Sequence, residues 1–184
     1  MAERIAYHGS PKPVDRFRSG HRTRPDETQQ LNFGVHFAVE PEVALIYGRF
    51  LHRCRIRWSR LYNASLAAEW SRLPEGHADV IREVVARSSN YPKHLRDWIL
   101  NQDMVSTGVI ERSSNRLVES VLLAHGFDAV FYEAVITGYR GGSLAKAKTH
   151  EAYIIFGDPE KQAEVLEVLE APKEQWKAFL RSIQ

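Results

Sequence analysis

Apolar and polar positions along this chain change period several times. Ile5, Ala6 and Tyr7 make a short apolar run that stops at His8-Gly9-Ser10, as an edge strand entering a turn would. Over 33–38 the alternation predicts a strand with Val35 and Phe37 on one face. Cys54, Ile56 and Trp58 alternate with Arg53, Arg55 and Arg57, which predicts another. Segments 128–132 and 153–156 read as further short strands. Helical spacing takes over elsewhere. Glu40-Pro41-Glu42 puts proline and acids where a first helical turn favours them. Val43, Ala44, Ile46 and Tyr47 then form its apolar face, and Gly48 is the stop. Val80, Ile81, Val84 and Val85 predict a helix over 75–88; Leu95, Trp98 and Ile99 predict one over 92–101. Window 115–125 is amphipathic, with Ser114 as cap and Gly126 as stop. A helix is predicted from Asp158-Pro159 to about residue 170, and a last one carries Trp176, Phe179, Leu180 and Ile183 as one stripe.

Roughly seven short strand candidates interrupted by helices, without the regular alternation of a parallel sheet, indicate an α+β fold. At 184 residues the chain forms one domain with a proper core. Its helical insertion lies at about 70–105 and its C-terminal helices start at about 159.

Candidate chemistry concentrates in a few places. The imidazole of His8 can hydrogen-bond a sugar hydroxyl, and Gly9 lets the main chain approach a flat ring. The plainer alternative is a solvated turn. Tyr47 ends its helix either as a ligand-facing ring or as a core aromatic one turn from Val43 and Ala44. Glu133 and Glu151 flank the late strands as candidate carboxylates.

Tyr7-His8-Gly9-Ser10, Gly34-Val35-His36-Phe37-Ala38, Tyr47, Gly126-Phe127-Asp128 and the final Tyr153-Ile154-Ile155-Phe156 before Asp158-Pro159 occur in that order. Together they resemble an ADP-ribosyltransferase of the His-Tyr-Glu type, nearest to phage and polymorphic-toxin versions and related to the poly(ADP-ribose) polymerase catalytic fold. The resemblance runs from Tyr7 to Pro159 and implies a split, bent antiparallel β core, two small sheets around an NAD cleft with helices outside. It implies NAD as substrate, no metal, release of nicotinamide, and transfer of ADP-ribose to a macromolecular acceptor, protein or nucleic acid. Tyr7, His8, Gly9, Ser10, Phe37, Ala38 and Tyr47 would bind NAD. His8 would contact the adenine-side ribose, Gly9 the carboxamide through its main chain, and Tyr47 the nicotinamide ring.

The catalytic set so implied is His8, Tyr47 and an acid. The family carries glutamate directly before the tyrosine of its closing strand, but here that position is Ala152, with Glu151 one residue earlier. A shift of one residue turns a strand side chain to the other face. Either a bulge near Thr149-His150 restores the direction of Glu151, or Glu133 serves; Glu151 is the first candidate and Glu133 its rival. The loop 137–143 is an acceptor-facing segment or a plain hairpin tip. Thr149 stands where arginine-directed members carry a second acid, which disfavours arginine as the modified residue. NAD hydrolysis on the same fold, or a catalytically silent module that binds NAD or a partner, are the alternatives. Removal of an RNA 2′-phosphate would need arginines in place of the tyrosine and glutamate.

Composition narrows this further. Apolar residues at 43% and charged residues at 26% suit a soluble globular protein. No apolar run approaches a membrane span, and Met1-Ala2-Glu3-Arg4 lacks a signal core. A cytoplasmic setting, its own or a target cell's, is expected, with no membrane partner. The single cysteine, Cys54, excludes an intrachain disulfide and reads as a packed thiol. His77 and His94 lack metal-ligand spacing and read as surface residues. Net charge is only +2, yet Arg16, Arg18, His21, Arg22 and Arg24 crowd one segment, and Arg53, Arg55, Arg57 and Arg60 another. These are solvated faces, or an electropositive surface for NAD phosphates or nucleic acid.

Overall fold

The computed structural model describes residues 1–18, 31–136 and 148–182. Its strands are β1 (Ala2–Ser10), β2 (Val35–Ala38), β3 (Phe50–Trp58), β4 (Leu61–Asn63), β5 (Ala67–Glu69), β6 (Met104–Ser106), β7 (Ala129–Ile136), β8 (Lys148–Ile155) and β9 (Ala163–Glu170). Its helices are α1 (Pro41–Ala44), α2 (His77–Arg87), α3 (Lys93–Leu100), α4 (Asn115–Ala124), α5 (Pro159–Gln162) and α6 (Lys173–Ser182). The main sheet has the order β4-β7-β8-β2-β1-β3-β9, and β5 pairs with β6 apart from it. All of these pairings are antiparallel except β4 with β7. The fold is therefore α+β with a mostly antiparallel sheet.

The main sheet is one unit of seven strands, yet it is almost parted in the middle. β1 runs in register with β3 from Ala2↔Trp58 to Ser10↔Phe50, whereas it meets β2 only at Tyr7↔Ala38. The Ile5-Ala6-Tyr7 run is thus a central strand and not an edge. Ala6 is fully buried because the sheet continues on both sides of it.

Period-2 alternation divides the core into two layers. Val130 and Ile154 meet Val80, Ile81, Val84, Val121 and Leu122 from α2 and α4. On the other face Ala6, Val35, Phe37, Cys54, Ile56 and Ile155 pack with Phe17. Each buried Val, Leu, Ile or Phe among them contributes roughly 1.5–3 kcal/mol relative to exposure. Burial also pushes the Cys54 thiol up to about 12, so it is an inert packed group.

Two expectations are corrected here. Helix was predicted over 159–170, but only Pro159–Gln162 is helical and Ala163–Glu170 is strand. Its Glu-Val-Leu repeat suits either period, and the open edge of β3 decided. Glu164 reaches Arg55 at 3.0 Å and Arg57 at 3.2 Å, and a bulge between Arg53 and Cys54 absorbs the mismatch in register. Those pairs also spend the arginine row. Arg57 further meets Glu3, and Arg60 donates to the His125 carbonyl at 2.7 Å while lying over Phe127. The described arginines of this row are mostly engaged within the protein; Arg16, Arg18 and Arg53 stay exposed. His21, Arg22, Arg24 and the loop 137–143 lie outside the described residues.

Finally, His77 is buried and not a surface residue. Its ring stacks on Tyr62 at 4.5 Å, and its Nε2 accepts the Asn63 amide at 3.0 Å. That bond requires an unprotonated nitrogen, and burial does lower the His77 pKa.

Candidate functional site

The parting between β1 and β2 opens onto a small cleft, whose wall is built by the chain that follows β2. α1 starts at Pro41, where no amide is missed, and the Val43 and Ala44 amides bond to the Glu40 carbonyl. The helix lies directly on β1. A Cβ at Gly9 would stand 1.7 Å from the Ala44 carbonyl oxygen, so only glycine admits this contact. The chain then tightens into a 3₁₀ turn, Leu45–Tyr47, and leaves through Gly48, packed as closely against Ser10. From α6, Trp176 Nε1 donates to the Leu45 carbonyl at 2.8 Å. These contacts hold Tyr47 at the mouth, 40% exposed.

β1 and β2 contribute Tyr7, His8, Gly9, His36, Phe37 and Ala38 to the cleft. Val43, Ala44 and Tyr47 close one side; Tyr132, His150 and Ala152 close the other. Its free space, counted to the open mouth, is about 390 Å³. Among these described lining residues none is an acid, lysine or arginine. The polar equipment is imidazole and phenol.

His8 is buried and its Nδ1 donates to the His36 carbonyl at 2.9 Å, so the proton sits on Nδ1. His36 Nδ1 bonds the Tyr132 hydroxyl at 3.1 Å, while its Nε2 is buried with no hydrogen-bond partner among the described residues. Burial, and then the neighbouring His8, hold the His36 pKa down to about 4. Burial first, then Tyr47 and Glu111, push the Tyr132 phenol up. Both are neutral at pH 7, so neither adds charge to the cleft.

Of the residues anticipated to bind NAD, Tyr7, His8, Gly9, Phe37, Ala38 and Tyr47 all border the cleft, but the Phe37 ring belongs to the opposite layer of the core, where the His8 ring also packs edge-on to Phe17 at 5.1 Å. Ser10 does not: its hydroxyl donates to the Lys12 carbonyl instead. Neither candidate acid lines the cleft. The β8 register is continuous against both β2 and β7, with no bulge near 149–150. Ala152 and His150 therefore face the cleft, and Glu151 faces the other side of the sheet, where it pairs with Arg4 at 3.0 Å. Glu133 is exposed and lines a separate groove.

His36, Tyr132 and His150 are cleft residues that the sequence did not single out. The available signal was alternation: His36 lies between Val35 and Phe37, both buried on the opposite face.

Gly9→Ala tests the architecture. The Cβ forces α1 away from β1, with an expected loss of about 1–3 kcal/mol by the usual cost of overpacking. Chemical denaturation reads it; an unchanged midpoint would contradict the close contact.

No protein-family model matches the chain, and no curated protein matches it. A solved crystal structure of an anti-CRISPR protein is similar in fold at a TM-score of 0.42 and 16% identity, over 91% of this chain and 96% of that one. At that level the likeness carries no functional argument.

Proposed function

We propose that the cleft binds the nicotinamide end of NAD and that the protein transfers the ADP-ribose portion to a macromolecular acceptor. The single observation that supports this most is the convergence of Tyr7, His8, Gly9 and Tyr47 around one small cleft at the near-parting of the sheet. That parting agrees with the split core of ADP-ribosyltransferases.

The chemistry suits the lining. The nicotinamide of NAD is a cationic ring, and tyrosine faces attract cations within about 6 Å of their centroid. Neutral His36 adds no opposing charge. As the bond between ribose C1′ and the ring nitrogen breaks, its electron pair leaves with nicotinamide. A new bond forms from C1′ to the acceptor nucleophile, which gives up a proton. His150, on the cleft face of β8, is the group we assign to receive it.

A catalytically silent NAD-binding module is the second reading. The observation favouring it is that no described cleft residue carries a carboxylate to stabilise a cationic ribose. Labelled NAD incubated with protein and cell extract separates the two. Nicotinamide release with label on a protease- or nuclease-sensitive product supports transfer. NAD binding without release in any extract supports the silent module.

Tyr47→Ala is expected to weaken NAD binding by about 0.5–1.5 kcal/mol, roughly 2- to 10-fold, through loss of a ring contact. Calorimetric titration measures it, and unchanged affinity would remove Tyr47 from the site.

A further inference from the structure

Among the described residues there is a second, open groove with about 1580 Å³ of free space counted to its mouth. α3, β6 and the 3₁₀ turn Thr107–Arg112 enclose it, and Glu133 of β7 lies along it. Two large apolar side chains stand in water there: Trp98 at 60% exposure and Met104 at 58%. Glu111 and Glu133 line the same groove, and neither makes an ion pair or side-chain hydrogen bond among the described residues. One guanidinium, Arg112, lines it as well.

We propose that this groove docks a protein segment through an arginine or lysine side chain. An exposed indole attracts a cation over its face, and carboxylates bond the same head group by charge-assisted hydrogen bonds. Trp98 and Met104 cover the aliphatic stem. The two carboxylates against one guanidinium make the groove net acidic, which disfavours a phosphate backbone and favours a basic peptide. Partial burial of Glu111 raises its pKa, as for a carboxyl that lacks a cation.

The groove also adjoins the cleft. Glu111, in the groove, raises the pKa of Tyr132, in the cleft, through its charge, whereas Glu133 follows Tyr132 on β7 and its side chain leaves the opposite face of the strand, opposite Glu151. A segment held at Glu111 therefore lies near Tyr132, one wall of the cleft. This makes it the acceptor, a step that rests on the transferase reading, whereas the docking itself does not.

The test uses the full chain and a fluorescein-labelled peptide of alternating arginine and alanine, read by anisotropy. Matched glutamate–alanine peptide and single-stranded RNA serve as comparisons. The arginine peptide is expected to bind, and Trp98→Ala and the double variant Glu111→Gln/Glu133→Gln each to weaken it at least tenfold. Thermal melts show whether these variants remain folded. Glu133→Gln alone, on an exposed side chain, keeps the test open if the double variant unfolds; it should weaken binding severalfold. Tyr47→Ala should leave peptide affinity unchanged. No binding of the arginine peptide, binding indifferent to the groove variants, or tighter groove-dependent binding of RNA overturns the proposal. Failure to release nicotinamide with intact peptide binding would sink the transferase reading and leave the docking site standing.

Discussion

Between pH 6.5 and 4 the folded protein is expected to lose about 3 kcal/mol of stability through His36 alone. Its pKa falls from 6.5 in an unfolded chain to about 4 in the fold, and each tenfold change in proton affinity corresponds to about 1.4 kcal/mol. The direction follows from proton counting. Above pH 6.5 neither state is protonated at this residue, so it leaves stability flat. Below 6.5 the unfolded chain takes up the proton and the folded chain does not, so stability falls until the fold also protonates near 4. His77, lowered by burial, acts in the same direction. Glu111, raised by burial, acts in the opposite direction near the bottom of the window, because the fold protonates it first.

Denaturant titrations at several values across this window measure the slope. His36→Gln should flatten it. An equal slope in wild type and His36→Gln would mean that the imidazole is not held neutral. In the cleft the same titration has a functional reading. Protonated His36 would repel a cationic ring, so on the NAD-binding proposal affinity should hold down to about pH 5 and decline only near 4, where the folded protein takes up the proton.

Tyr62→Ala is expected to be the most damaging single substitution in the core, at about 3–5 kcal/mol by analogy with other large aromatic truncations. Tyr62 is fully buried on β4, stacked on His77 and edge-on to Phe127. Its hydroxyl donates to the Thr107 carbonyl at 3.0 Å, joining β4 to the turn that follows β6. Truncation removes the ring, opens a cavity against α2, and leaves that carbonyl unsatisfied. For a chain of this length the loss corresponds to a melting temperature lower by about 6–20 °C. Tyr62→Phe keeps the ring and removes only the bond, at about 1 kcal/mol. If the two variants melt alike, the packing account is wrong and the hydroxyl dominates.

How much of this was legible in the sequence differs by element. Local patterns sufficed where a segment's own chemistry decides its state. α2, α3 and α4 fall close to the windows marked by their apolar spacing, and Gly126 adopts the positive φ of 77° expected of a helix stop. Val35 and Phe37 share a buried face as their alternation indicated. The segments Tyr7-His8-Gly9 and 41–47 were marked as neighbours, and they do line one cleft.

What local pattern could not decide was anything set by a distant partner. Residues 163–170 suit two periods, and the arginine row of β3 made them a strand. His77 is polar by neighbourhood, yet the Tyr62 ring and the Asn63 amide draw it inside.

The candidate acids illustrate the same limit. Residue order alone puts Glu151 one position before the place the family resemblance implies, and one residue along a strand means the opposite face unless a bulge intervenes. Long-range pairing settles that no bulge does, because β7 runs in unbroken register with β8 from Ala129↔Ile155 to Ile136↔Lys148, with β2 joining on the other edge over 152–155. A slip at 149–150 would break the amides paired with β7, so Ala152 and His150 face the cleft and Glu151 turns to Arg4.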